Sequence, residues 1–307
     1  MSIERSAIAE RTVSLLSSGS VLAALGVLSF SLSFPGTVFA LDGFGPWSAT
    51  GVRGLIAAVL AGGSLLIARV RLPDRSDWTA LAVVAGGCAI GFPLLTTLAL
   101  QTSSSAHSAV VIGALPMATA IIFAALNRRR EPLLFWVAAA LGGATIVTFA
   151  LLQNNGRPTI ADLYLAAALV VCAAGYAEGG RLSAHLPGWQ VIAWAVVVAA
   201  PINLAVAAWA LPHESVQLTA KAVAGVAYIG AISQFGGFVV WYRGMGLIGV
   251  TKASQLQLAQ PLLTVLWSML LLGEHVGPAV PTTTVIVLAC IVVTQRAKRA
   301  ERQAVQP

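Results

Sequence analysis

The chain has 307 residues, of which 58% are hydrophobic and only 9% charged, with a formal net charge of +7. A soluble globular domain is usually about half apolar and about a quarter charged, so this composition cannot clothe a water-facing surface. Three cysteines, Cys88, Cys172 and Cys290, all lie inside apolar runs, a pattern that gives neither a disulfide framework nor a Cys/His metal cluster.

Apolar runs of membrane-spanning length predict ten spans, at about 14–40, 47–68, 79–100, 105–126, 133–152, 161–180, 189–211, 221–242, 252–272 and 279–295. The first run is too long for a signal-peptide core and reads as a retained span. Polar and Pro/Gly-containing separators such as RVRLPDRSD, NRRREP and QNNGRP stand between the runs. The spans must be helices, because an open sheet edge cannot be satisfied in hydrocarbon. The expected fold is therefore all-α integral membrane. A tail at 1–13 precedes a first five-helix unit at 14–152; a second unit at 161–295 is followed by a basic tail at 296–307.

Of the 18 lysines and arginines, fifteen fall on one side of this arrangement and only Arg157 and Lys221 on the other, with Arg53 inside a span. The positive-inside rule then predicts cytoplasmic termini for a multi-pass protein of the inner or plasma membrane. The net charge is accounted for by topology and calls for no nucleic-acid partner.

The fourth and ninth spans can be superposed with a constant offset of 145, which aligns Pro116 with Pro261 and Thr119 with Thr264. The same offset pairs spans 1–5 with spans 6–10. A unit of five spans enters the membrane the other way up on its second pass, which predicts two inverted five-helix repeats with a substrate site near the midplane between them.

Within the spans, polar residues are few enough to consider singly. The first carries Ser29, Ser33 and Thr37 on one face beside Pro35-Gly36, a candidate hinge, and the face suits either a cavity or close packing. Arg53, six residues in from Trp47, could snorkel outward, bond a neighbouring helix or counter an anionic substrate group. His107, at the outer end of the fourth span, is either a titrating cavity group or a hydrogen-bonded interfacial residue. Glu178 is the acidic residue clearly within a span; it either forms an ordinary helical ion pair with Arg181 three residues on or serves in gating or in binding a substrate ammonium group. In the ninth span, TKASQLQLAQPLLT places Gln257, Gln260 and Thr264 on one face at i, i+3 and i+7, while Gln255 points elsewhere. Gln260 lies roughly 12 Å in from the span's start, close to the midplane of a core about 30 Å thick. The amides can line a cavity or bind helices together. Pro116 and Pro261 free carbonyls near the same depth and are further hinge candidates.

Several of these stretches carry a resemblance. FSLSFPGTVFA in the first span, GVRGLIAAVLA in the second, SAHSAVVIGALPMATA in the fourth, GYAEGGRLS in the sixth, LPGWQVIAW entering the seventh and QLQLAQPLLTVLWSMLLLGE in the ninth are similar, in order, to EamA-type members of the drug/metabolite transporter superfamily. The resemblance implies a ten-helix carrier, often an exporter of amino acids or related metabolites, with a central cavity lined by both repeats. One departure is visible: the Leu-Leu-Gly-Glu ending stands at 271–274, but the first repeat reads Leu126-Asn127-Arg128-Arg129 at the matching place.

The expected function is a secondary transporter that exports a small neutral or zwitterionic metabolite, such as an amino acid or derivative, by alternating access. A hydrophobic cation would want a central carboxylate, and Ser33 occupies the place matching Glu178. Import, or a receptor or scaffold without transport, are the alternatives. An enzyme is not expected, since no acid–base pair, metal set or nucleotide loop is present. The implied partners are a small-molecule substrate and the lipid bilayer, with a homo-oligomer left open; no cofactor or metal is called for.

Overall fold

The computed structural model describes residues 18–126, 131–153 and 156–304. Ten helices are long and apolar enough to cross a membrane: α1 (Ser18–Leu41), α2 (Pro46–Ile67), α3 (Arg75–Ala99), α4 (Ser105–Leu126), α5 (Leu133–Gln153), α6 (Ile160–Leu182), α7 (Gly188–His213), α8 (Ala220–Ile248), α9 (Gln255–Leu272) and α10 (Ala279–Arg296). No strand occurs among the described residues. The predicted N-terminal tail at 1–13 and the arginines at 128–130 lie outside them.

Helix ends follow local chemistry. Pro46 opens α2, where its missing N–H is not needed. Thr159 and Asp162 form a reciprocal capping box at the start of α6, so Asp162 sits in that helix's first turn and not in a connection. Gly273, at φ 67°, ends α9 in the left-handed conformation that favours glycine. The largest departure from the expected boundaries is α8, which runs to Ile248 and carries Arg243 inside its final turns. The apolar residues Met245, Leu247 and Ile248 prolong the helix until Gly249, at φ 81°, turns the chain. Helix also continues past α10 to Ala304, so much of the expected basic tail is helical.

The interior is built largely from small residues, which let backbones approach closely where lipid supplies no hydrophobic drive between helices. Close helix pairs include α2 with α7, α5 with α10, α4 with α9, α3 with α6 and α8 with α1. In the first three pairs a helix meets its own counterpart in the other half, and the last two exchange under the same correspondence. Such pairing is what an inverted repeat would produce. Gly87 of α3 faces the Val171 carbonyl and Gly175 of α6 so closely that a side chain would collide with backbone, and Gly225 of α8 meets the backbone of Ala40 in α1 in the same manner.

Candidate functional site

Two matched pairs of helices lose regular geometry in mid-membrane, and α1 carries a single turn residue at Leu32. Helix α4 breaks at Gly113–Ala114, between Ser105–Ile112 and Leu115–Leu126; the α9 region breaks at Leu258–Ala259, between Val250–Gln257 and Gln260–Leu272. The two breaks are 145 residues apart. In each, a proline (Pro116 or Pro261) is the second residue of the resumed helix, where it withholds the N–H that would have reached back across the gap. Helices α3 and α8 widen into π-helical segments, Ala85–Gly91 and Tyr228–Gly236, whose last residues are again 145 apart. Irregular backbone at this depth is tolerated where it faces protein or a cavity.

A cavity of about 560 Å³ lies among these irregular segments, within the 300–1,000 Å³ range of small-molecule sites. Ile112, Leu115, Pro116 and Thr119 of α4 line it, and so do Gln257, Gln260, Pro261 and Thr264, the residues at the same places in the second half. Neither glutamine amide makes a hydrogen bond to a described residue, so donors and acceptors face the cavity unspent. Thr264 is different: its hydroxyl is given to the Ser31 carbonyl (2.9 Å) and its own Gln260 carbonyl (3.0 Å), tying α9 to α1. Ser33 also lines the cavity, with its Oγ 2.7 Å from Ser233 Oγ on α8.

Arg53 lines the same cavity and its residue is only 6% exposed. Its guanidinium has no hydrogen bond and no acidic partner among the described residues, and its Nε is fully buried without an acceptor. The side chain therefore does not snorkel outward. Removing a charge from water without compensation costs several kcal/mol even after relaxation, so this is the most expensive group in the site. Arg53 is the sole charged residue among the described residues that line the cavity.

Other candidates lie elsewhere. Ser29 donates to its own helix at Leu25 O (2.8 Å) and packs against Gly237, serving the contact between α1 and α8. Pro35 is buried away from the lining, next to Gly36, which faces Tyr228 and Ile229 of α8. Glu178 is held by Arg181, with Nε and Nη2 each 2.8 Å from Oε2, and does not line the cavity. His107 Nε2 lies 2.8 Å from Asp162 Oδ1 while its ring stacks on Phe149, joining the first turns of α4 and α6.

The cavity is lopsided. Its lining reaches Phe123 near the end of α4, Gly180 near the end of α6 and Gln295 near the end of α10. At the opposite membrane face, carboxylates reach across between helices. Glu214 accepts from Trp47 N (3.2 Å) and Ser48 N (2.8 Å) at the start of α2, lying where any side chain at position 45 would collide. Glu274 accepts from Ser105 N (2.7 Å) and Ala106 N (2.9 Å) at the start of α4. Helix N-termini favour such anions by about 0.3–1 kcal/mol, more when partly buried. Lys221 pairs with Asp42 at the same face. The Gly-Glu ending at 273–274 thus has a physical role: the left-handed glycine turns the chain so that Glu274 reaches α4.

Sequence reasoning missed Gln234, whose Nε2 donates to Ala89 O (3.0 Å) across the two π-helical segments and whose side chain lines the cavity. It is the lone amide in the interior of its span, a signal of the same kind as Gln260. The aromatic side of the cavity, with Phe30 and Phe238 at 4.6 Å between ring centroids, carried no periodic mark that set it apart from lipid-facing residues.

The chain is similar to known transporters in sequence and to a solved structure in fold. The model of the EamA-like transporter family matches residues 17–151 and again 159–295, one match in each half. The uncharacterized transporter YdeK of Bacillus subtilis is 42% identical over 272 residues, covering 89% of this chain and 95% of its own. The uncharacterized inner membrane transporter YicL of Salmonella typhimurium is 28% identical over 242 residues, covering 76% and 78% of the two chains. A solved crystal structure superposes with a TM-score of 0.61 at 19% identity, over 92% of this chain and 98% of that one, a likeness of fold alone.

Proposed function

The chain belongs to the EamA-like transporter family and is a membrane transporter, and from that premise we propose that it exports a small neutral or zwitterionic metabolite by alternating access. The observation that carries this reading is the cavity itself. Both halves contribute matching broken helices to it, it reaches one face, and the other face is bridged by Glu214 and Glu274. Under the positive-inside rule, the face it reaches is cytoplasmic, because Arg69, Arg75, Arg181 and Arg243 stand there. Cargo would enter from the cytoplasm, and release would require the two carboxylate caps to let go while the broken helices close behind it. The lack of an acidic lining residue disfavours a cationic cargo. Gln257, Gln260 and Ser33 supply neutral hydrogen bonds, and Thr264 holds the wall they stand on.

The test is a metabolite-retention screen that compares internal pools in cells lacking and overproducing the protein. One or a few small organic solutes should accumulate without it and fall when it is overproduced. Pools identical in both, together with no flux in vesicles, would sink the reading. A second measurement addresses the path. In a background free of Cys88, Cys172 and Cys290, Ser33→Cys should react with small polar thiol reagents, whereas Ser29→Cys should stay inert. Reporter fusions after Arg75, Arg181 and Pro307 should report cytoplasm and those near Gly43 and Glu214 the outside; two adjacent loops on one side would refute the arrangement.

A further inference from the structure

A buried guanidinium with no partner needs an explanation from its surroundings. Two other cations near the membrane in this protein are paired: Arg181 has Glu178 and Lys221 has Asp42. Arg53 is more deeply buried than either and has no carboxylate or carbonyl in reach among the described residues. It stands about seven residues into α2, roughly 10 Å from the helix start, and it lines the cavity. An intramembrane charge of this kind marks a substrate path by default. A role as interhelical glue would show a hydrogen bond to another helix, and there is none.

We infer that Arg53 is the anchor for a carboxylate on the cargo, and that the cargo is a monocarboxylate with an apolar or aromatic body whose amino group, where it has one, is dispensable. This rests on the carrier reading above and extends its cargo from zwitterions to monocarboxylates that lack the amino group. The guanidinium fork matches a carboxylate through two parallel hydrogen bonds. One positive charge balances one negative charge, so a phosphate dianion would leave charge uncompensated in the same wall. Among the described residues no aspartate or glutamate lines the cavity, so no ion pair there awaits an ammonium group. Phe30, Phe34, Phe92, Phe123, Tyr176 and Phe238 line it as well, offering rings for an apolar body to pack on. The amides of Gln257 and Gln260 supply uncharged contacts on the other half.

The experiment measures equilibrium binding to the purified full-length protein in lipid nanodiscs, by calorimetry and by thermal stabilisation. The probes are 3-phenylpropionate, 3-phenylpropanamide, 3-phenylpropylamine, phenyl phosphate and L-phenylalanine. The carboxylate should bind at least about tenfold tighter than the amide, the amine or the phosphate, with L-phenylalanine within a few-fold of it. Arg53→Gln should abolish the carboxylate's advantage and leave amide binding unchanged, and Arg53→Lys should keep part of it. The wild-type series with Arg53→Lys decides the matter even should Arg53→Gln fail to fold. No binding of the carboxylate at millimolar concentration, equal or tighter binding of the amide or amine, or a preference that survives Arg53→Gln would overturn the assignment. Proteoliposome flux separates the two readings. Carboxylate binding without flux would overturn the carrier and leave the anchor standing. Flux of solutes without preference for a carboxylate would do the reverse.

Discussion

Helices α4 and α9 make the same shape from different chemistry. Each breaks at the same place in its repeat, each resumes with a proline as its second residue, and the two turn residues to the cavity at five positions 145 apart. In α4 these include Ile112 and Leu115, where α9 has Gln257 and Gln260. The shape is thus doubled while the hydrogen-bonding capacity is single. The cavity is thus symmetric in its backbone breaks and asymmetric in the polar groups that line it. Ser33 and Glu178 show the same division: the serine faces the cavity, and the glutamate at the matching position is turned away to Arg181.

The sharpest way to break the comparison is to erase the chemical difference. Gln257→Leu and Gln260→Leu should each raise the half-saturation concentration for transport by about 2- to 10-fold, from about 0.5–1.5 kcal/mol per lost hydrogen bond. The pair together should approach the product of the two effects, with membrane level nearly unchanged. Adding Leu115→Gln to Gln260→Leu moves the amide to the other wall and should not restore affinity. Full rescue in that transport assay would show that the site reads both halves alike. A loss of detergent stability at normal affinity would show instead that the amides only join helices.

A smaller effect is expected where the halves agree. Pro116→Ala and Pro261→Ala each restore an N–H able to reach back to the carbonyl of Ile112 or Gln257, stiffening one break. Turnover should fall on the order of a few-fold while binding measured without flux stays near wild type, since the change acts on the conformational step. If only Pro261→Ala slows turnover, the breaks are equivalent in form but not in use.

Much of this was legible in the sequence because the bilayer leaves so few options. Apolar runs and polar separators identify ten spans, and Pro116 and Pro261 mark the two breaks. What the sequence could not separate was direction around a helix. Ser29 and Ser33 share a face by periodicity, but the turn at Leu32 and the close contact with Gly237 put Ser29 against α8 and leave Ser33 on the cavity. Arg53 could equally have snorkelled; only the packing around α2 shows that its guanidinium is enclosed. Gln234 was hidden because its span also holds a serine and several glycines, so one amide did not stand out. The extension of α8 to Ile248 depended on a glycine conformation that sequence alone leaves open.

The finest test concerns the two threonines that the offset aligns. Thr119 Oγ1 donates to Leu115 O of its own helix at 2.8 Å. Thr264 Oγ1 donates to its own helix at Gln260 O and also to Ser31 O on α1, beside Trp267, whose Nε1 donates to Ser31 Oγ at 3.0 Å. Valine keeps the shape of threonine and removes the hydroxyl. In α4 the lost bond is local, and a carbonyl within the membrane keeps its helical N–H partner, so Thr119→Val should be close to neutral. In α9 the substitution removes a link between helices and leaves a buried acceptor on α1 with one bond fewer, so Thr264→Val should cost about 0.5–1.5 kcal/mol of stability. Thermal unfolding in one detergent at one protein concentration would read both. Equal shifts for the two variants would mean that the α1–α9 link contributes nothing beyond the local bond, and that the second half is no better fastened than the first.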